Sequence, residues 1–364
     1  MKRLCVYLLL GVILLFPFYA AIGEEALPGQ WFITNTKTMV ETTEGYYISY
    51  DGFVFFCDKE SFETKLVCAR HNCLHQNEMH LSDCDAYIDG FGITVISDRI
   101  YYQGFDTIGR MQMDGTGHEE WIPAPWDRNT QQEEYGFQGK YYFYVNEYID
   151  SVENTILQMK DFFYAIDVSD RDNQKVLIEE WDGLEKAIIP LQVSDDSLYY
   201  MTGAMNGDIN LWRFDLKTQK RTQLYCTQEK GMYYCKGDKA YILQVNQGVS
   251  LLDLNTKEKR VLVTGDQTNP YYTQYYCDGR YIYSMTTNTD NFSCDMILYN
   301  LEGEELAHTE IPSASYLYLI GQDHLIFGGI EAPDVPHVAV PLNSLLQGEP
   351  VFRTINVPEL FAYD

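Results

Sequence analysis

The sequence predicts an all-β fold, a seven-bladed β-propeller of four-stranded antiparallel blades, preceded by an N-terminal signal or anchor helix. Two observations support this fold class. Aromatic residues make up 15% of the chain, with 30 Tyr and 18 Phe, and such side chains pack well on half-buried strands. Turn residues between short aromatic strands also recur at a nearly constant spacing over most of the chain.

The N-terminal segment has the pattern of a secretory signal. Lys2 and Arg3 precede an apolar run that extends to about Ile22, and polar residues follow. The small residues around position 20 offer a cleavage site, but an apolar run of about 19 residues is also close to the length that spans a bilayer. We therefore expect residues 1–23 to be a signal peptide or a membrane anchor. The protein is expected to be extracytoplasmic, either secreted or anchored by an uncleaved N-terminal segment.

The repeat is marked by a Gly or Asp that precedes a Tyr-rich or otherwise apolar strand. The separations between successive marks are 53, 41, 57, 42, 41 and 44 residues, which matches the length of a four-stranded propeller blade. We therefore treat residues 27–364 as one closed ring. The seven marks are Gly45, Asp98, Gly139, Asp196, Asp238, Gly279 and Asp323.

A second mark falls later in each unit, where an alternating strand ends in Asp or Asn and polar turn residues follow. A fourth strand follows each of these turns, for example Lys175–Trp181, Arg221–Tyr225 and Arg260–Val263. The marks are clear at Asp114, Asp215, Asp253 and Asn300, and weaker at Asp58, Asp167 and Asn343.

Two sequence patterns carry a resemblance to known propellers. The segments Arg99–Tyr102 and Arg110–Thr116 resemble the Tyr-Trp-Thr-Asp type propeller of low-density-lipoprotein-receptor proteins. The Trp of that signature is absent from most units, so receptor-like ligand recognition is not expected. The whole chain after the N-terminal segment is similar to uncharacterised bacterial cell-envelope relatives of that propeller. Those relatives commonly carry a Cys-x4-Cys-x-His...Cys-x-Ala segment, which is matched here by Cys68, Cys73, His75, Cys84 and Ala86.

The densest group of thiol and imidazole side chains lies in a Cys-rich insertion at about 57–86. An exported chain in an oxidising compartment favours disulfides that staple this insertion, with the connectivity left open. A structural zinc is the alternative, and free thiols are the third possibility. No other cofactor is expected. The residues assigned to the disulfide or metal site are Cys57, Cys68, Cys73, His75 and Cys84.

The charge and the motifs restrict the function classes. The formal net charge is −27, which excludes nucleic acid as the expected partner and leaves contact with a membrane to the N-terminal segment alone. The chain lacks the Gly-x-Ser-x-Gly, His-Glu-x-x-His and phosphate-loop motifs. We therefore expect a non-enzymatic binding or scaffold module at the bacterial cell envelope, with a protein or glycan as partner. The alternatives are a glycan-processing enzyme with a site in the central funnel and a membrane-anchored sensor or assembly ectodomain.

The loops predict which side of the propeller binds. Because successive strands reverse direction, the connections after the second and fourth strands of each unit emerge on one side, and these are expected to be the longer loops, for example Asn146–Lys160. Aromatic and polar side chains in these loops are typical of recognition sites. The expected ligand-binding face comprises Trp126, Arg128, Tyr148, Asn206, Tyr271 and Tyr272.

Overall fold

The structure is a computed structural model. It describes residues 24–25, 39–73, 84–123, 131–152, 155–172, 175–182, 186–204, 207–268, 271–288, 293–314, 316–328 and 336–357. Within these ranges the strands form seven antiparallel sheets. Each contains four consecutive strands in sequence order, and one of them has an additional two-residue strand at its edge. This arrangement confirms the predicted seven-bladed propeller. The predicted signal or anchor helix, at 1–23, lies outside the described residues, and none of the described helices is long and apolar enough to cross a membrane.

The first three blades are numbered along the chain. A two-residue strand, β1 (Glu24–Glu25), pairs with the first strand of the second blade. The first blade consists of β2 (Met39–Glu41), β3 (Gly45–Tyr50), β4 (Phe53–Asp58) and β5 (Thr64–Leu66). The second consists of β6 (Gly90–Ser97), β7 (Arg99–Gly104), β8 (Thr107–Gln112) and β9 (Glu119–Pro123). The third consists of β10 (Gln131–Gln138), β11 (Tyr141–Val152), β12 (Thr155–Asp167) and β13 (Val176–Asp182).

Blades four to seven continue the same order. Blade four consists of β14 (Lys186–Ser194), β15 (Ser197–Ala204), β16 (Ile209–Asp215) and β17 (Lys220–Thr227). Blade five consists of β18 (Met232–Lys236), β19 (Lys239–Gln244), β20 (Gly248–Asp253) and β21 (Lys259–Thr264). Blade six consists of β22 (Tyr272–Cys277), β23 (Ile282–Asn288), β24 (Ser293–Tyr299) and β25 (Glu305–Pro312). Blade seven consists of β26 (Tyr316–Ile320), β27 (His324–Gly328), β28 (Pro336–Pro341) and β29 (Arg353–Thr354), with a short helix α1 (Leu342–Leu346).

Apolar cores lie between neighbouring blades. First strands such as β2 are buried, whereas fourth strands such as β25 are largely exposed. Side chains of first strands also form hydrogen bonds to the next blade. The Gln192 amide donates to the Cys235 carbonyl at 2.7 Å and accepts the Cys235 N–H at 3.0 Å, and the Thr94 hydroxyl donates to the Gly139 carbonyl at 2.8 Å. The first strands therefore form the inner wall of the ring.

The turns after the third strands confirm the second sequence mark in six blades. In each, an Asp or Asn side-chain oxygen accepts the N–H of a residue two positions further on, which closes a local turn. The weaker marks Asp58 and Asp167 form this turn as well as the clear ones. Blade seven differs, because the short helix α1 follows Pro341 there and includes Asn343. The acceptors are Asp58, Asp114, Asp167, Asp215, Asp253 and Asn300.

The ring closes between blades seven and one. The Tyr46 hydroxyl hydrogen-bonds with Nδ1 of His324 at 3.0 Å, and the buried carboxylate of Glu41 accepts the Gln322 N–H at 2.6 Å. The other Glu41 oxygen lies 2.7 Å from Nζ of Lys59. One buried core also contains apolar residues of both blades, such as Ile48 and Ile326. These contacts join the two ends of the repeat.

The fourth strand of blade one is divided by the part of the Cys-rich insertion that lies between Val67 and Ala86. The C-terminal part of β4 pairs with β5, from Cys57↔Thr64 to Phe55↔Leu66. At Val54 the partner changes: its carbonyl accepts the N–H of Val67 at 2.9 Å, and its N–H donates to the carbonyl of Ala86 at 2.9 Å. Phe53 then pairs with Tyr87 in a β-bridge. The insertion therefore interrupts the strand at the single position opposite Val54.

Candidate functional site

The propeller has two faces with different connections. We define the turn face by the connections after the first and third strands of each blade, for example 195–196 and 216–219. We define the loop face by the connections after the second and fourth strands, for example 105–106, 245–247 and 265–271. Successive strands are antiparallel, so these two sets emerge at opposite ends of the blades.

Polar groups on the turn face are largely engaged within the ring. Asp196 accepts a hydrogen bond from the Tyr141 hydroxyl at 2.6 Å and forms an ion pair with Lys217 at 2.5 Å. Both contacts contribute to holding the pKa of the Asp196 carboxyl below its usual range. The Arg280 guanidinium donates to the carbonyls of Gly321 and Gln322 in the next blade, each at 2.7 Å. The turn face thus uses its charged groups to join blades.

Apolar side chains are exposed on the loop face. Phe105, in the turn between β7 and β8, is 68% exposed, and Tyr272, at the start of β22, is 53% exposed. Val245 is also exposed, and its neighbour Asn246 accepts the Thr273 N–H at 2.6 Å through its side chain. This bond ties the exposed Val245 turn of blade five to the exposed Tyr272 of blade six. Phe105 and Val245 were not among the sequence-predicted residues, although each is an apolar residue in a short turn, where polar residues are usual.

The structure describes only part of the predicted ligand-binding set. Trp126, Arg128 and Asn206 lie outside the described residues. Tyr148 lies in β11, opposite Lys160, and its side chain is outside the description. Tyr271 is half-buried just before β22, and Tyr272 begins that strand. The described members of this set therefore occur in blades three and six.

The expectation of a long loop at 146–160 is wrong, because most of this segment is paired β-structure. Strands β11 and β12 pair from Tyr141↔Asp167 to Val152↔Thr155. At 12 and 13 residues they are about twice as long as β19 and β20, which have 6 residues each. At about 3.3 Å per residue, the additional six residues extend this hairpin by roughly 20 Å. The hairpin turn belongs to the loop face.

A cluster of three thiols lies at the base of the Cys-rich insertion. The Sγ atoms of Cys68, Cys73 and Cys84 all lie within 4.8 Å of one another, and among the described residues this is the group that could hold a metal ion. Cys57 is not in this group, and its thiol instead hydrogen-bonds to the Asp58 carbonyl at 3.9 Å. His75, the imidazole assigned from the sequence, lies outside the described residues.

Burial and hydrogen bonds set the properties of the Cys84 thiol. Burial is the main cause that raises its pKa to about 12, and contacts with Cys73 and Cys68 add to the shift. The Ala86 N–H, which donates to the Cys84 sulfur, acts in the opposite direction. Metal ligation requires the thiolate form of a cysteine.

Comparisons with known proteins show the fold. No protein-family profile and no curated protein matches the sequence. A prolyl endopeptidase structure is similar, with a TM-score of 0.52 and 11% identity, over 93% of this chain and 51% of its own. The acylaminoacyl peptidase of Pyrococcus horikoshii has a TM-score of 0.50 and 11% identity, over 93% of this chain and 53% of its own. BamB from Moraxella catarrhalis has a TM-score of 0.41 and 12% identity, over 82% of this chain and 95% of its own.

The chain spans about half the length of the two peptidases that it matches. Identities this low show a shared β-propeller fold, and they transfer neither activity nor partner. The predicted resemblance is thus supported at the level of the seven-bladed propeller. The finer relation to low-density-lipoprotein-receptor propellers stays a prediction.

Proposed function

We propose that the chain is a non-enzymatic binding or scaffold module that works outside the cytoplasm, at the bacterial cell envelope. It binds a protein or glycan partner through the loop face. The observation that carries this proposal is the difference between the two faces. The turn face uses polar groups for contacts between blades, while the loop face displays a long β-hairpin and the aromatic side chains of Phe105 and Tyr272, which are more exposed than Phe352 on the turn face.

The exposed side chains support recognition by this face. Phe105, Tyr272 and Val245 offer apolar area on a rigid scaffold, which is where binding surfaces commonly lie. The β11–β12 hairpin adds an element that projects from the same face. The net charge of −27 favours a partner with cationic groups. The sequence pattern at residues 1–23 supports the location.

The experiment measures binding of the fluorescently labelled full chain to a washed envelope fraction from the source bacterium. In the test variant, residues 149–159 are replaced by Asn-Gly, which keeps the Tyr148↔Lys160 pair and closes a two-residue hairpin. We expect its affinity to fall about tenfold, the size of loss that follows removal of an interface anchor.

The matched control carries Thr218→Tyr and Glu302→Tyr, two exposed positions on the turn face. This variant should bind like the wild type. Equal binding by the hairpin variant, or loss only in the turn-face variant, would overturn the assignment of the face. Release of soluble sugars or peptides from the envelope fraction by the purified chain would contradict the non-enzymatic role.

A further inference from the structure

The thiol cluster lies where the insertion leaves and re-enters blade one. Cys68 directly follows Val67, and Cys84 lies two residues before Ala86, so two of the three sulfurs flank the gap opposite Val54. Cys73 reaches the same point from within the insertion, after a turn in which its N–H donates to the Arg70 carbonyl at 3.4 Å. The cluster therefore joins the two ends of an interrupted strand.

The number and spacing of the sulfurs favour a cation over a disulfide. With Zn–S bonds of about 2.3 Å, two ligands in a tetrahedron lie about 3.8 Å apart, so three mutually close sulfurs can share one ion. A disulfide brings only two sulfurs together, to about 2.05 Å, and leaves the third thiol unused. The three Sγ atoms here all lie within 4.8 Å of one another, which fits the shared-ion arrangement.

Hydrogen bonds around the cluster also suit a thiolate site. The Ala86 N–H donates to the Cys84 sulfur, which is the kind of outer contact that orients metal-bound cysteines. Asp85 lies between Cys84 and Ala86 in the sequence and forms an ion pair with Arg70 at 2.9 Å. This ion pair links the start of the insertion to its end. Cys68, Cys73 and Cys84 also pack against the core shared by blades one and seven.

We propose that Cys68, Cys73 and Cys84 bind a zinc(II) ion as thiolates, and that this ion closes the insertion at the divided fourth strand of blade one. Zinc fits because it prefers thiolate ligands and a tetrahedral arrangement in structural sites.

The position of the site gives the ion a second effect, on the junction with blade two. Gly115 of blade two packs so closely that a Cβ atom there would lie 2.1 Å from the Val67 carbonyl oxygen and 2.8 Å from that of Asp85. Nε2 of His118 hydrogen-bonds to the Asp85 carbonyl at 2.8 Å. Zinc therefore fixes the segment against which the turn of blade two packs, and its removal loosens both blades.

The experiment uses the full chain, purified under reducing conditions without chelator. We expect about one zinc ion per chain by inductively coupled plasma mass spectrometry. After exchange with cobalt(II) we expect a sulfur-to-cobalt charge-transfer band and intense visible bands of tetrahedral cobalt. A chelator should lower the melting temperature, and zinc should restore it, because the ion binds the folded state.

Two pairs of variants separate this site from the other thiols. Cys68→Ser and Cys73→Ser should lose the bound zinc. Cys57→Ser, which removes a buried thiol of the same core, and Cys226→Ser, which removes an exposed thiol, should retain it. The cobalt spectrum of the wild type keeps the proposal testable if a variant does not fold. A wild-type chain that gives no thiolate–cobalt band, or retention of zinc in both Cys68→Ser and Cys73→Ser, would overturn the proposal. A chain purified without reductant that is metal-free and in which peptide mapping locates a disulfide between two of Cys68, Cys73 and Cys84 would also overturn it.

Discussion

Val54 and Ala86 are joined by a backbone hydrogen bond of 2.9 Å, and the same Val54 accepts the N–H of Val67 at 2.9 Å. In a continuous antiparallel pair, one residue would supply both of these groups. Here Val67 supplies the N–H and Ala86 supplies the carbonyl. The insertion can therefore be removed without changing the register of the strand, provided that one residue remains opposite Val54.

Deletion of residues 68–86, which fuses Val67 to Tyr87, should restore an uninterrupted fourth strand. We expect this variant to fold cooperatively, with the β circular dichroism of the wild type and a melting temperature that does not respond to zinc or chelator. The matched control deletes residues 68–85 and leaves Ala86 as an extra residue. It should melt at a lower temperature, because one additional residue creates a bulge or shifts the register. An unfolded first variant beside a stable second one would contradict the interrupted-strand interpretation.

Glu41, whose carboxylate accepts the Gln322 N–H of blade seven, also forms a buried ion pair with Lys59 of its own blade. The side chain of Glu41 is only 2% exposed and that of Lys59 is 11% exposed, with 2.7 Å between Oε1 and Nζ. Glu41→Ala leaves the Lys59 charge without this partner, and we expect the free energy of unfolding to fall by about 3 kcal/mol.

Urea unfolding measures this loss, with Lys160→Ala as control. The Lys160–Glu180 pair has nearly the same distance, 2.9 Å, but both side chains are more than a third exposed, at 35% and 46%. Removal of this ion pair should lower the free energy of unfolding by at most about 1 kcal/mol. Equal losses in the two variants would show that Glu41 does not stabilise the closure.

The His324 imidazole links the closure to pH. Burial lowers its pKa below the ordinary value of 6.5, and Lys59 contributes in the same direction, whereas Asp323 opposes the shift. The unfolded chain therefore binds a proton more readily than the folded chain. The stability that comes from neutral His324 is present above about pH 6.5 and is lost as the pH falls through the folded pKa.

The measurement is the melting temperature between about pH 7 and pH 5, above the range in which most carboxylates titrate. The wild type should lose stability across this interval, and His324→Gln should lose less. Parallel pH profiles for the two proteins would contradict the assignment to His324.

The closed ring should not survive division. A cut after Gly231 separates blades one to four from blades five to seven at the connection between β17 and β18. Each half would expose two apolar blade faces that are buried in the ring, and the buried Gln192 amide would lose its Cys235 partner. We expect neither fragment to fold alone, by circular dichroism and by cooperative melting. Two soluble fragments with native β-structure would contradict the closed ring.

Local chemistry explains which parts of the fold the sequence predicted. Asp215 and Asp253 form their turns with N–H groups two and three residues away, so the signal lies within a few residues of sequence. The fourth strands that follow these turns were also predicted from short stretches of sequence. The helix after Pro341 was missed because Asn343 fits the turn pattern equally well until the helical backbone is seen.

The features that the sequence did not predict depend on contacts between residues that are distant in the chain. No local signal shows that Glu41 meets Gln322, or that Val67 and Ala86 share Val54, because both depend on how the ring closes and how a strand is interrupted. The β11–β12 hairpin was interpreted as a loop because its strands extend beyond the ordinary blade length. The sequence assigned Cys68, Cys73 and Cys84 to one site, but the position of that site beside β4 depends on both ends of the insertion returning to this strand.

Site-specific photo-cross-linking can show whether the partner contacts the loop face. A photoreactive phenylalanine is placed in the full chain at Phe105 or Tyr272 on the loop face, or at Thr218 or Glu302 on the turn face, all of them exposed positions. Each protein is irradiated with the envelope fraction, and adducts are detected by their change in mass. We predict adducts from positions 105 and 272 that an excess of unlabelled protein suppresses, and none from positions 218 and 302. Suppressible adducts from the turn-face positions alone would contradict the account.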